Sequence, residues 1–486
     1  MLFNSIDYAI FLPIVLALYV VFGRISLRAQ NLLLLLASYL FYGWWDWRFL
    51  CLLIASSVVD YWVGIGLQTA TNEARRRGLL IASLTVNLGT LGFFKYYNFF
   101  VTSLIDAFAQ LGISLHAPTL KIILPVGVSF YTFQALTYTI SVYRKRIEAE
   151  HDPIKFLAYV AFFPQLVAGP IERAGRLLPQ FARPRHVSPA QFTDGLRQIA
   201  WGLFCKLVVA DNCAGVVNAI FASHEHIIGS VALTGAFFFA FQIYGDFSGY
   251  SHIAIGSARL LGFELMQNFA TPYFSQSVPE FWHRWHISLS TWFRDYLFIP
   301  LGGSRVGKAR QVFNILVTFT VSGIWHGANW TFIAWGFLNG LYYLPKIFIG
   351  EPLARLTTSR ATFVRVCGIG FRIALTFLLT LIAWVLFRAD DIRQATMFIS
   401  SIFSRSVLVN PAASLRDAGV LTPAAYSMIG IAFLVILEWI QRNKHFALEV
   451  DDRSMPLRWT AYACVATMVL VLRYTGTPLN FIYFQF

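Results

Sequence analysis

The chain has 486 residues, of which 57% are hydrophobic, 17% are aromatic and only 13% are charged. Soluble domains carry roughly 25% charged residues, so this composition excludes a set of water-soluble domains and predicts a multi-pass membrane protein. The net charge of +14 does not indicate a nucleic-acid partner, because the basic residues lie in short connections between apolar runs. The five cysteines are scattered and form no CxxC pair, so they favour neither a disulfide framework nor a zinc site.

The apolar runs predict an all-α polytopic protein with about 11 to 12 transmembrane helices, since a crossing helix needs about 20 apolar residues. When the basic clusters between the runs are placed in the cytoplasm, the N-terminus lies outside the membrane. We expect one membrane domain over residues 1–486, with a motif-rich core at about 120–345 and C-terminal helices at 346–486. The runs start near Tyr8, Asn31, Phe49, Leu79, Ile122, Ile199, Val231, Val312, Thr331, Ile373, Tyr426 and Trp459.

Two segments do not fit full crossings. Residues 156–170 are apolar, contain Pro164 and have basic connections on both sides, which predicts a broken or re-entrant segment inside the protein. Residues 266–310 mix aromatic and charged side chains. From Pro279 onwards their aromatic residues recur at helical spacing, which predicts one amphipathic helix at the cytoplasmic interface.

His326 is the most informative residue, because the run from 311 to 345 contains no Asp, Glu, Lys or Arg. A lone ionisable side chain in such a run is costly and marks a functional site by default. Imidazole is also suited to proton transfer near neutral pH. About fifteen residues separate Gln311 from His326, or ~22 Å of helix, which predicts a position in the outer half of the membrane. A structural hydrogen bond to a neighbouring carbonyl is the alternative.

Other polar residues near these segments are further candidates. His286 lies on the predicted interfacial helix, and Ser322 and Asn329 lie close to His326. Asn329 could orient the imidazole or stabilise a developing oxyanion. His283 and His286 are spaced i, i+3 on the predicted helix, but no carboxylate or cysteine completes a metal site, so no metal is expected.

Asp246 ends another apolar run, in the sequence QIYGDFSGYS. A carboxylate there could pair with Arg284 or Arg294 of the predicted interfacial helix and fix its position. We favour this structural pairing, and a contact with substrate is the alternative.

The motifs FWHRWHISLSTWFRDYLFIPLGG and SGIWHGANWTFIAWG together resemble the membrane-bound O-acyltransferase superfamily. The similarity is strongest to the bacterial branch that contains the membrane subunit of alginate O-acetyltransferase. The segments FYGWWDWRFL, LPVGVSFYTFQALTYTISVYR, FFPQLVAGPIER and DFSGYS resemble that branch in the same order. The resemblance is specific over roughly residues 1–345 and looser beyond them.

The resemblance implies a helical bundle that encloses a transmembrane tunnel. It implies two catalytic residues, His326 as the essential one and His286 toward the cytosolic mouth. It implies acetyl-CoA as the donor substrate, no permanently bound cofactor, and a polysaccharide acceptor outside the membrane. A periplasmic partner similar to SGNH hydrolases would complete the transfer, and the location would be the bacterial inner membrane, in contact with lipid. The predicted substrate contacts are Arg284, Trp285, Trp325, Asn329, Asp246 and Ser322.

Two other classes of function stay open at this point. One is an O-acyltransferase that modifies another acceptor, such as cellulose, peptidoglycan, teichoic acid or a lipid. The other is a non-catalytic transporter of acyl groups or polysaccharide. Transporters usually contain repeats and several charges within the membrane, and neither feature is evident here.

Overall fold

The computed structural model describes residues 1–115, 119–167, 169–222, 227–350, 362–476 and 481–482. Within these residues the regular structure is helical and no β-strand is present. The α-helices are α1 (Ile6–Ile25), α2 (Leu27–Gly43), α3 (Trp47–Thr69), α4 (Glu73–Leu91), α5 (Tyr97–Gln110), α6 (Val128–Tyr143), α7 (Pro153–Ala161), α8 (Phe163–Leu166), α9 (Ala174–Phe181), α10 (Pro189–Phe204), α11 (Asp211–Phe221), α12 (Gly229–Leu260), α13 (Val278–Arg284), α14 (Ile287–Phe293), α15 (Lys308–His326), α16 (Trp330–Phe348), α17 (Thr362–Arg388), α18 (Ile392–Ile402), α19 (Ala412–Asp417), α20 (Leu421–Ile440) and α21 (Met455–Val471).

Short turns of other helix types connect some of these helices. π-helical turns lie at Gly92–Tyr96, Cys205–Ala210 and Arg294–Phe298, and 3-10 turns lie at Pro272–Phe274 and Arg405–Leu408. Because a π-turn adds a residue to the helical register, it redirects the side chains that follow it.

Six helices of the described part of the chain are long and apolar enough to cross a membrane. The protein is therefore an all-α, multi-pass membrane protein, as predicted, whereas the count of 11 to 12 crossings stays a prediction. The six are Ile6–Ile25, Trp47–Thr69, Glu73–Gln110, Pro189–Phe221, Phe363–Arg388 and Leu421–Ile440.

The residues group into two compact units. One contains Met1–Ile199 and Ile253–Met266, and the other contains Ala200–His252 and Gln267–Phe486. The expectation of a single domain over the whole chain stays a prediction.

The first unit contains the predicted broken segment. Helix α7 ends at Ala161, Phe162 adopts φ −50° and ψ 106°, and α8 resumes at Phe163. The break is buried, and side chains satisfy its backbone: the Phe163 N–H donates to the Ser38 hydroxyl at 3.0 Å, and the Tyr159 carbonyl accepts from the Gln134 amide at 2.6 Å. The predicted break is confirmed, because buried irregular backbone needs such partners. Re-entry from the membrane surface stays a prediction.

The second unit is built around buried tryptophans. Trp285, Trp335 and Trp384 are each about 1% exposed. Trp384 lies 5.0 Å from Trp285 and 5.9 Å from Trp335 between ring centroids, so it joins the α13–α14 segment to α16. Ring pairs at these distances stabilise the packing beyond the apolar area that they bury. This aromatic core places the segments that carry both candidate histidines.

Candidate active site

His326 is the last residue of α15 and lies inside the second unit, with only 4% of its surface exposed. Three aromatic rings surround its imidazole: Trp325 at 4.9 Å, Trp335 at 5.1 Å and Phe387 at 5.3 Å between ring centroids. The apolar surroundings exclude bulk water, and electrostatic interactions are stronger in such a site than in water. The predicted buried histidine is therefore in a setting that suits proton-transfer chemistry.

A close crossing of α15 and α16 fixes the position of His326. A Cβ atom added to Gly323 would collide with the carbonyl oxygen of Phe332 and would lie 3.1 Å from the Cα of Gly336. Only glycine allows the two backbones to approach this closely, which is how small residues act at helix interfaces in membranes. Gly323 lies three residues before His326, so the crossing determines where the imidazole meets Trp335.

His286 lies at a break between two short helices. The sequence predicted one amphipathic helix from Pro279 onwards, and this prediction is wrong. Helix α13 ends at Arg284, Trp285 is extended at φ −103° and ψ 128°, and His286 has a left-handed backbone at φ 43° and ψ 53°. Helix α14 then begins at Ile287. His283 and His286 therefore do not share a helix face. Their i, i+3 spacing in the sequence does not bring the two imidazoles together as it would in a continuous helix.

A non-helical segment that runs beside the break explains it. The Ala270 N–H donates to the Arg284 carbonyl at 3.0 Å, and the Ile287 N–H donates to the Asn268 carbonyl at 2.9 Å. These two bonds replace bonds that a continuous helix would make within itself. Ser277 caps the start of α13 by accepting from the Glu280 N–H, within two residues of the predicted start.

Asn268 is fully buried and contacts His286, Ser288 and Ser251. Its amide oxygen accepts from the Ser288 hydroxyl at 2.7 Å and lies 3.3 Å from Nδ1 of His286. Its amide nitrogen donates to the Ser251 hydroxyl at 3.1 Å. Sequence reasoning missed both Asn268 and Ser288. The available signal was an amide side chain within the aromatic stretch QNFATPYF, directly before the histidine motif.

Burial also determines the protonation state of His286, which lies outside the six helices that could cross a membrane. Burial lowers the pKa of His286 to about 3, because the charged imidazolium loses its hydration. Phe247 lies edge-on to the ring at 4.5 Å between centroids, which adds apolar contact. His286 is therefore neutral at neutral pH and can both donate and accept a hydrogen bond.

Trp325 brings the two histidines into one site. Its ring centroid lies 4.9 Å from that of His326 and 6.3 Å from that of His286. Trp325 itself is buried. The structure therefore places both predicted histidines against the same indole, although 39 intervening positions separate them in the sequence.

Three other predicted site residues lie close to the histidines. Trp285 stacks on Phe281 with ring centroids 5.5 Å apart. Ser322 is buried on α15, one helical turn before His326. Arg284 is partly exposed and pairs with Glu280 at 2.7 Å. Their contacts with substrate stay predictions.

The side chain of Asn329 caps a helix. Its amide oxygen accepts from the Thr331 N–H at 3.1 Å at the start of α16, and its amide nitrogen donates to the Asp390 carbonyl at 2.7 Å. An asparagine at this position satisfies a backbone group that the helix itself cannot. The predicted role of Asn329 beside the imidazole or an oxyanion stays a prediction.

Asp246 does not pair with Arg284 or Arg294, so that prediction is wrong. Its carboxylate lies 2.8 Å from the ammonium of Lys206, which also pairs with Asp211 at 2.7 Å. Arg284 and Arg294 each pair with an acidic residue of their own segment instead. Lys206 is 1% exposed, and a buried cation at this depth requires anionic partners. The two carboxylates therefore neutralise the charge of Lys206 where the π-turn at 205–210 packs against α12.

The all-helical membrane fold agrees with the comparison to known protein families. The chain matches the model of MBOAT, the membrane-bound O-acyltransferase family, over residues 39–387. The chain belongs to this family. It is accordingly an enzyme, an O-acyltransferase of the membrane.

Several relatives of known name are similar over most of their length. The chain is 41% identical over 408 residues to the "Probable alginate O-acetylase AlgI" of Pseudomonas aeruginosa. The aligned residues cover 83% of this chain and 75% of the relative. It is 38% identical over 506 residues to the protein of the same name from Pseudomonas putida, across 100% of both chains. It is 35% identical over 392 residues to the "Peptidoglycan O-acetyltransferase" of Helicobacter pylori, across 75% of this chain and 72% of the relative.

Proposed function

We propose that the enzyme transfers acetyl groups from cytosolic acetyl-CoA to hydroxyls of an alginate-like polysaccharide outside the membrane. The similarity to alginate O-acetylases over most of the chain supports the choice of acetyl group and acceptor. The buried His326, enclosed by aromatic rings and joined to His286 through Trp325, is the observation that carries the proposal. A periplasmic partner similar to SGNH hydrolases would pass the acetyl group to the polymer.

In the proposed mechanism His326 acts as the general base. Its imidazole removes the proton of the acceptor hydroxyl while the oxygen attacks the thioester carbonyl. The carbon–sulfur bond then breaks, and the imidazolium returns the proton to the leaving thiolate, so that the products are the ester and free coenzyme A. Positioned proton transfer contributes about 10²–10⁴-fold to the rate, and alignment of the two substrates must contribute much of the rest.

His286 and Arg284 bind the donor in this proposal. His286 is neutral and contacts Trp325, the same indole that contacts His326. Arg284 is partly exposed and presents a guanidinium suited to phosphate groups. The acetyl-CoA would thus enter beside Arg284 and His286 and present its thioester toward His326.

The membrane location follows from the same proposal. The basic clusters between the helices favour a cytoplasmic position for those connections, with the N-terminus outside. The enzyme would lie in the bacterial inner membrane, where cytosolic acetyl-CoA and an external polymer are accessible from opposite sides.

The proposal is tested with the purified protein in proteoliposomes, with labelled acetyl-CoA on one side and de-acetylated alginate with the partner on the other. We expect His326→Ala to abolish transfer of label to the polymer. His445→Ala is the matched control, because His445 is an exposed histidine of the same unit, and it should transfer at the wild-type rate. Normal transfer by folded His326→Ala protein would refute the role of His326.

A second experiment separates direct attack from a covalent route. The protein is mixed with labelled acetyl-CoA in the absence of acceptor and then quenched under denaturing conditions. Direct attack predicts no label on the protein, whereas label that disappears in His326→Ala would replace the general-base step with an acetyl-histidine intermediate.

Peptidoglycan is the second candidate acceptor, because the Helicobacter pylori relative named for that activity is 35% identical. The same proteoliposomes can be offered alginate and peptidoglycan in parallel. Preferential labelling of peptidoglycan would replace the polysaccharide in the proposal and leave the transfer chemistry unchanged.

A further inference from the structure

Asn268 is a buried polar residue whose side chain forms hydrogen bonds with several segments of the second unit. The residue is 0% exposed, and its side chain joins three elements: the segment before α13, the break at His286 and helix α12 through Ser251. Burying an amide is costly unless its polar atoms are hydrogen-bonded. An apolar residue could fill the same space in this aromatic region at a lower cost in desolvation free energy.

The hydrogen bonds fix the orientation of the Asn268 amide. The Ser288 backbone N–H can only donate, and it approaches the side-chain oxygen of Asn268 at 3.4 Å, together with the Ser288 hydroxyl at 2.7 Å. The opposite end of the amide donates to Ser251 at 3.1 Å. The atom that faces His286 is therefore the oxygen, which can only accept.

This orientation determines which imidazole nitrogen carries the proton. Nδ1 of His286 lies 3.3 Å from the Asn268 oxygen, so the proton of a neutral ring belongs on Nδ1. Nε2 then carries a lone pair. A neutral His286 with this tautomer accepts a hydrogen bond through Nε2, from a group such as an amide N–H or a thiol.

The backbone of His286 also depends on this arrangement. A left-handed conformation is unfavourable for any residue other than glycine, and His286 adopts one at φ 43°. The Asn268 carbonyl holds the next residue through the Ile287 N–H at 2.9 Å, while the Asn268 side chain holds Ser288. Backbone and side chain of one residue thus fix both the break and the ring.

We propose that Asn268 is a positioning residue of the acyl transfer, which fixes the orientation and the Nδ1-protonated tautomer of His286. The proposal rests on the proposed function, in which His286 binds the acyl donor. Asn268 need not touch the substrate, because it acts through His286. At metal sites, removing a residue that orients a functional histidine typically lowers metal affinity or activity about 10–100-fold.

A double-mutant cycle tests whether Asn268 acts through His286. Acetyl transfer is measured for the wild type, Asn268→Ala, His286→Ala and the double variant. We expect Asn268→Ala to lower kcat/KM about 10–100-fold in the wild-type background, as for other orienting partners, and to have little further effect in His286→Ala. An equal loss in both backgrounds would mean a merely structural role and would overturn the proposal.

Matched variants separate positioning from folding. Asn314 is also fully buried in the second unit and donates to the Gly303 carbonyl at 3.1 Å, but no described contact joins it to either histidine. Asn314→Ala should therefore change activity equally in both backgrounds. Asn268→Asp retains the accepting oxygen and should recover part of the activity that Asn268→Ala loses. A recovery no better than that of Asn268→Leu would contradict the proposal.

The tautomer can be measured without turnover. The full-length protein is labelled with [15N]histidine and studied by solid-state NMR in lipid, and the His286 signals are identified by their loss in His286→Ala. We expect a protonated Nδ1 and an unprotonated Nε2 at neutral pH. The opposite tautomer would overturn the proposal, even if Asn268→Ala does not fold. The expected tautomer in a protein that transfers no acetyl would instead refute the proposed function alone.

Discussion

Replacing Gly323 with alanine should impair catalysis through the position of His326. The added methyl would collide with the backbone carbonyl of Phe332, which cannot rotate away as a side chain could. A carbon needs about 3.3 Å from a carbonyl oxygen, so α15 and α16 would have to separate by about 1 Å. His326 follows three residues later and would shift by a similar distance relative to Trp335. A misplacement of about 1 Å can cost 100-fold in rate, or about 2.7 kcal/mol in the barrier.

The measurement is kcat/KM for acetyl transfer in proteoliposomes, corrected for the folded fraction by size-exclusion chromatography and thermal melting in detergent. Gly370→Ala is the matched control, because a Cβ at Gly370 in α17 would meet no atom within 4 Å. The control should retain full activity and gain about 0.5–1 kcal/mol of stability from the lost flexibility of glycine. Wild-type kcat/KM in folded Gly323→Ala protein would refute the argument that this crossing positions the imidazole.

Two further predictions concern stability. Lys206→Met leaves two buried carboxylates without their cation, so we expect a loss of about 3–5 kcal/mol, measured as a lower melting temperature than that of the exposed control Lys308→Met. Equal melting temperatures would argue against a stabilising cluster. Asn329→Ala removes a helix cap and should cost about 1 kcal/mol while leaving acetyl transfer near normal. A rate loss of about 10²–10³ would indicate oxyanion stabilisation instead.

Hydrophobic runs predicted the helices well, because a membrane helix is long and its composition differs sharply from that of its connections. The run near Val312 became α15 from Lys308, and the run near Trp459 became α21 from Met455. The run near Ile122 was less accurate, since the helix begins at Val128 after Pro125. Its early residues are apolar but precede a proline, and composition alone does not show where the backbone turns.

The candidate site was predicted in part. His326 could be identified from the sequence, because it is a single imidazole in an apolar run that contains no Asp, Glu, Lys or Arg. The break at His286 was not predictable, because periodic aromatic residues favour a continuous helix. The two backbone hydrogen bonds to residues 268 and 270 that stabilise the break are tertiary contacts, which the local sequence does not show. The pairing of Asp246 with Lys206 was missed for the same reason: both lie in apolar runs, and only the packing of α12 against the π-turn brings them together.

The indole of Trp325 has a consequence for proton conduction. An indole nitrogen donates a hydrogen bond but has no lone pair to accept a proton, so Trp325 cannot relay protons between the two imidazoles that it contacts. In the proposed transfer the donor and the acceptor reach the site from opposite faces of the membrane, so a proton relay through the site would dissipate the proton gradient. Because Trp325 cannot accept a proton, its contacts with both imidazoles provide no proton relay between His326 and His286.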